Sequence, residues 1–146
     1  MTGESDKVID TLNDLLKGEI SAVETYRQAL SKLNHSAARA QLQECHGSHE
    51  QRIAKLRQQI SRLGGVPATD SGAWGSFAKL VEGGAKVFGE KVAIAALEEG
   101  EDHGLKLYRD DLAKLDAGSR QLVETELLPA QERTHRTMST LKHTLH

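Results

Sequence analysis

Cysteine occurs once among the 146 residues, proline twice, and Phe, Trp and Tyr together make up 3%. A single thiol closes no internal disulfide, which excludes a disulfide-stapled scaffold and a four-cysteine zinc module. No sign of charge dominates: the formal net charge is −2 and the pI about 6.4. That balance removes the electrostatic case for nucleic acid or an anionic membrane surface as a partner. No apolar run approaches the roughly eighteen residues of a membrane span, and Met1–Asp10 has no basic-then-apolar leader. The expectation is one cytoplasmic domain, residues 1–146, with no membrane and no nucleic acid as partner. What remains is rich in Ala, Leu, Glu, Lys, Gln and Arg, side chains that lose little rotamer freedom in a helix.

Four segments carry apolar residues at helical spacing. They are about 5–33 (Ile9, Leu12, Leu16, Val23, Tyr26, Leu30), about 36–63 (Leu42, Cys45, Ile53, Leu56, Ile60), about 90–115 (Ile94, Leu105, Tyr108, Leu112) and about 119–145 (Leu122, Met138, Leu141). Gly64-Gly65-Val66-Pro67 stops the second, and Trp74–Phe88 reads as a short amphipathic helix. The chain reads as free of internal repeats. Short links join the first two segments and the last two, so each pair is an antiparallel hairpin. The crossover of about 64–89 is long enough to travel the bundle. Two hairpins joined in this way give the expected fold class: all-α, a ferritin-like four-helix bundle.

Polar residues interrupt these seams, and buried polar groups are costly unless paired or bound to metal. Facing residues of an antiparallel hairpin have numbers that sum to a constant. Centring the first turn on Asn34 sets Glu19 opposite His49. Centring the second between Asp116 and Ala117 sets Glu101 opposite Glu132 and Glu98 opposite His135. Glu132-x-x-His135 and Glu98-x-x-Glu101 each present two donors on one helical face. Four carboxylates and two imidazoles form the ligand inventory of a bundle-embedded di-metal site, for which iron is expected, with manganese or zinc as alternatives. Metal would also relieve the mutual repulsion of buried acids. His46 stands where a carboxylate is expected, three residues before His49. It enters as a seventh candidate ligand, or else flanks the seam and faces water. Asp102 is the candidate partner of an imidazole. Tyr26, Tyr108 and Met138 read as core, Cys45 as a buried small hydrophobe, and Pro129 as a bend in the fourth helix.

The segments LLKGEISAVETYRQAL, LGGVP, GAWGSFAKL, ALEEGEDHGLKLYRDDL and LLPAQERTH resemble the uncharacterised bacterial four-helix-bundle proteins of the ferritin-like superfamily. The similarity spans about Leu12 to Leu141. It implies a ferritin-like bundle and brings no reaction with it. The wider superfamily of ferritins, bacterioferritins and rubrerythrins implies di-metal oxidation chemistry, and Glu98 and Glu101 match the Glu-x-x-Glu of rubrerythrin-like sites. His46 and the missing four-cysteine module depart from that pattern. The functional expectation is a di-iron protein that oxidises ferrous iron with peroxide or oxygen in stress protection, with a homo-oligomer as one arrangement. The rival is a non-catalytic bundle, a stress or partner-binding protein, in which the polar layer is a hydrogen-bonded network fixing register.

Overall fold

The computed structural model of the chain describes residues 3–34, 37–72 and 89–144. Every regular element within them is helical. Helix α1 is Gly3–Lys32, α2 is Arg39–Arg62 and α3 is Glu90–Asp111, which closes in a 3-10 turn over Leu112–Lys114. The fourth rod consists of α4 (Ala117–Leu122), a π-helical turn (Val123–Leu127) and α5 (Leu128–Thr144). An all-α arrangement of four rods therefore holds among the described residues. The expected helix Trp74–Phe88 lies outside them.

Helix ends follow local chemistry. Gly64 takes a φ of 85°, and Gly64 and Gly65 donate back to the carbonyls of Ser61 and Ile60. That left-handed step closes α2, and Pro67 cannot continue it. The departing strand of chain lies tight on α1. Asn13 Nδ2 donates to the Val66 carbonyl (3.1 Å) and its Oδ1 accepts from the Ala68 amide (2.7 Å). Asp116 caps α4 by accepting from the Ser119 amide at 3.0 Å.

Packing sets the directions. Helix α1 lies between α2 and α3, and α5 packs on α3 and α2. Tyr26 of α1 reaches Glu101 of α3, whereas Glu19 is reached by Tyr108, so α1 and α3 are antiparallel. Lys55 pairs with Glu126, and Gln59 donates to Ser119, so α2 and the fourth rod are antiparallel too. Consequently α2 and α3 run in the same direction. One apolar cluster, including Leu12, Leu16, Leu56, Ile60, Val123 and Leu127, fills one end of the bundle. Another, including Ala29, Leu42, Ala93, Ile94 and Met138, fills the other end. Each such side chain contributes on the order of 2 kcal/mol by leaving water. Between the two clusters lies a polar layer.

A π-helical turn precedes the residues of the fourth rod that enter that layer. Pro129 has no N–H to return to the carbonyl of Thr125, and its ring would collide with that carbonyl in a regular α-helix. The wider turn immediately before it accommodates both demands. The buried face of the rod runs Val123, Leu127, Gln131, Thr134, Met138.

A buried polar centre between four helices

Three of the expected residues meet in the layer. Glu19, His49 and Glu101 come from three different helices and are 3%, 2% and 2% exposed. His49 Nδ1 faces Glu19 Oε1, and Nε2 faces Glu101 Oε2 at 2.7 Å. A carboxylate only accepts, so an imidazole bonded to one at each nitrogen is doubly protonated and cationic. Burial disfavours that charge, but the carboxylates of Glu101 and Glu19 outweigh it and raise the His49 pKa. Tyr26 stacks on the imidazole with ring centroids 5.4 Å apart.

The second cation is Arg52, one turn beyond His49 on α2 and 1% exposed. One terminal nitrogen donates to Glu19 Oε2 (3.3 Å) and to Gln131 Oε1. The other donates to Ser48 Oγ (2.9 Å), the Ala130 carbonyl (3.2 Å) and Thr134 Oγ1 (2.9 Å). Two carboxylates thus face two cations inside the bundle. For Glu19, burial raises the carboxyl pKa, yet the charges of Arg52 and His49 and the hydrogen bonds from His49 and Tyr108 hold it at about 2. Glu101 is likewise lowered, burial being overcome chiefly by His49.

Neutral donors complete both carboxylates. Tyr108 donates to Glu19 Oε2 (2.5 Å) and Tyr26 to Glu101 Oε2 (2.6 Å). Gln131 Nε2 and Thr134 Oγ1 donate to Glu101 Oε1 at 2.9 and 2.7 Å. Burial and the neighbouring glutamates push both phenols well above their ordinary range, so they serve as donors. Cys45, also buried, is pushed up to about 12 by burial and Glu101; it behaves as the expected small hydrophobe rather than a nucleophile.

The other expected ligands stand elsewhere. Glu132 lies outside the layer, and its half-exposed carboxylate pairs with Arg109 at 3.5 Å. The position opposite Glu101 belongs to Gln131, one residue away. His135 does lie against Glu98 (3.7 Å), but at the bundle surface, where Asp102 is its nearer partner (3.1 Å) and Lys142 also reaches Glu98. Asp102 therefore is an imidazole partner, of a surface histidine. His46 points to Glu50 of its own helix, 3.3 Å away. Among the described residues, no group of three or more His, Cys, Asp or Glu side chains is placed to hold a metal ion. Three of the expected ligands thus meet in one centre, where Arg52, Tyr26, Tyr108, Gln131 and Thr134 join them. Arg52 was legible in principle, as a charge on the apolar face three residues after His49. Gln131 and Thr134 share the apolar face of the fourth rod with Leu127 and Met138, at the same spacing as His49 and Arg52 on α2.

The fold and its centre define a class: an α-helical bundle with a charge-balanced polar layer. The chain belongs to the family described as Domain of unknown function (DUF2383), whose model matches residues 7–114. That stretch holds α1, α2 and α3, and with them both carboxylates and both cations. Comparison with curated proteins and with solved structures gives no match. No helix among the described residues is long and apolar enough to cross a membrane.

Proposed function

We propose that this is a non-catalytic helical-bundle protein, ferritin-like in plan, whose buried Glu19–His49–Glu101–Arg52 network locks its two hairpins in register. The ferritin-like plan is supported by two antiparallel hairpins in which α2 and α3 run in the same direction, as a long crossover requires. The register lock rests on one observation: the guanidinium of Arg52 and the imidazolium of His49 already neutralise both buried carboxylates. Such a network is intolerant of sliding, because a one-turn slip would strand charges in an apolar interior.

A second reading places a metal ion, iron before manganese or zinc, between the carboxylates in exchange for the protons of His49. The convergence of Glu19, His49 and Glu101, each carboxylate oriented by a tyrosine, favours it. The convergent set fits one such ion beside Arg52 and does not fit two, because two dications next to a permanent guanidinium would far exceed two carboxylates. Oxidation of ferrous iron by peroxide or oxygen belongs to this reading.

Elemental analysis of the purified protein, with thermal unfolding in the presence and absence of a chelator, separates the two. The network reading expects no stoichiometric metal and a melting temperature indifferent to chelator. One equivalent of metal per chain, lost in His49→Gln but kept in Glu132→Ala/His135→Ala, would replace it with the metal reading.

A further inference from the structure

The donors that reach the two buried carboxylates fall into matched pairs. Glu19 is reached by Tyr108, His49 and Arg52; Glu101 is reached by Tyr26, Gln131 and Thr134, and also by the second ring nitrogen of His49. One offset of 82 residues carries Glu19 to Glu101, Tyr26 to Tyr108, His49 to Gln131 and Arg52 to Thr134. Exchanging the two hairpins therefore maps six of these contacts onto one another, whereas the His49–Glu101 and Arg52–Gln131 bonds have no counterpart among the described residues. The phenol of α3 on the acid of α1 becomes the phenol of α1 on the acid of α3.

The same offset runs through the chain around these residues. GEISAVETYRQAL, residues 18–30, and GEDHGLKLYRDDL, residues 100–112, agree at Gly, Glu, Tyr, Arg and Leu. Buried apolar positions correspond as well: Leu12 with Ile94, Leu15 with Leu97, Leu33 with Leu115, Cys45 with Leu127 and Leu56 with Met138. Two cavities of about 30 Å³ flank the centre. Tyr26 and Glu101 line one; Tyr108, Gln131 and Glu19 line the other; and Gly18, Ala22, His49 and Gly100 line both. A twofold axis across the bundle requires α1 antiparallel to α3 and α2 antiparallel to the fourth rod, which is the observed packing. These correspondences run against the expectation of no internal repeat, and their identities are too sparse to stand out until the contacts select them.

We infer that the chain is a duplicated helical hairpin and that Gln131 and Thr134 are the second copy's counterparts of His49 and Arg52. They are positioning residues, presenting an amide and a hydroxyl to Glu101 so that all cationic charge of the centre comes from the first copy. A strictly symmetric centre would bring four cations to two carboxylates. The neutral pair keeps the hydrogen bonds and omits the surplus charge. This deepens the charge-balance reading above, on which the signs of the expected effects rest.

Moving both cations across the axis tests it. His49→Gln/Arg52→Thr strips the centre of cations, Gln131→His/Thr134→Arg overloads it, and the quadruple variant carries the pair in the other half. Each double variant is expected to lower the melting temperature by on the order of 10 °C or to fail to fold. The quadruple variant is expected to recover most of that loss, and to show the paired downfield ring N–H resonances of a buried imidazolium at position 131. A quadruple variant no more stable than the weaker double overturns the duplication. A first double as stable as the unmodified protein refutes the charge-balance reading instead. The axis is then judged on Tyr26→Phe and Tyr108→Phe, which do not alter charge. Equivalent sites lose a similar few degrees, and a loss at one tyrosine with none at the other overturns the inference.

Discussion

Replacing Arg52 by methionine is the most informative single perturbation of this fold. The methionine fills much of the aliphatic volume but removes the positive charge that Glu19 faces. It also removes the donors to Gln131 Oε1, Ser48, Thr134 and the Ala130 carbonyl. Breaking one side of a buried ion pair costs about 3–5 kcal/mol, because the surviving charge stays buried and uncompensated. Total stability for a domain of this kind is about 5–15 kcal/mol, so Arg52→Met is expected to forfeit roughly a fifth of it or more. Urea unfolding at pH 6 followed by far-ultraviolet circular dichroism should show a lower midpoint with an unchanged slope. The melting temperature should fall by about 10 °C. Adding Glu19→Gln removes the stranded acid, so the double variant should regain about 1–2 kcal/mol over the single one, a coupling that independent sites do not show. A loss below about 1 kcal/mol for Arg52→Met, or full additivity in the double variant, would refute the claim that charge balance holds the centre together.

Stability should peak between pH 4.5 and 6.5. Glu19 falls from 4.5 to about 2 on folding, so its contribution is present above pH 4.5 and is lost as pH drops towards 2, a decline of about 3 kcal/mol. His49 is raised above 6.5, so its contribution is complete below 6.5 and is lost as pH rises through the folded value. A pH series of urea midpoints that climbs steadily from pH 6 to 9 would contradict this. Gly104→Ala should destabilise by about 1 kcal/mol despite alanine's better helix propensity. Its Cβ would stand 2.7 Å from the Gln131 amide nitrogen, which bonds to Glu101 cannot release cheaply; a rise in melting temperature would show that the amide is free to move. Asn13→Ala removes both bonds that fasten the chain after α2 to α1. It should cost about 1–2 kcal/mol and speed proteolysis near Val66; unchanged cleavage there would mean the clamp is idle. Glu132→Gln, on the surface with Arg109, should change stability by less than about 0.5 kcal/mol.

Sequence patterning reached the four rods, the Gly64-Gly65 stop and the level of the polar layer, because helical periodicity and turn chemistry are local signals. Antiparallel register placed Glu19 against His49 correctly, since α1 and α2 are regular helices joined by a short link. The same rule failed for Glu132 by one residue. Facing positions on the fourth rod fall at Gln131 and Thr134, with the same spacing as His49 and Arg52 on α2, so the assumed turn centre between Asp116 and Ala117 set the register one residue too far along. Pro129 reads as a bend, and the structure places a π-helical turn immediately before it. Arg52 went unassigned for another reason: an arginine on an apolar face ordinarily snorkels to solvent, and only the acids of two other helices reveal that this one does not. Tyr26 and Tyr108 carried enough apolar surface to pass as core, which they are, while their hydroxyls serve the carboxylates.

The origin of the cations within the chain bears on how the molecule assembles. His49 and Arg52 both lie on α2, so the first hairpin by itself holds a surplus of positive charge over Glu19. Glu101, with its own half, is a lone acid. Neither half is electrically content until they dock, and docking then extinguishes both imbalances at once. Partial molecules, such as an emerging nascent chain or a proteolytic fragment, would thus be penalised in their interior as well as on their exposed apolar faces. That double penalty favours all-or-none folding of the two halves together.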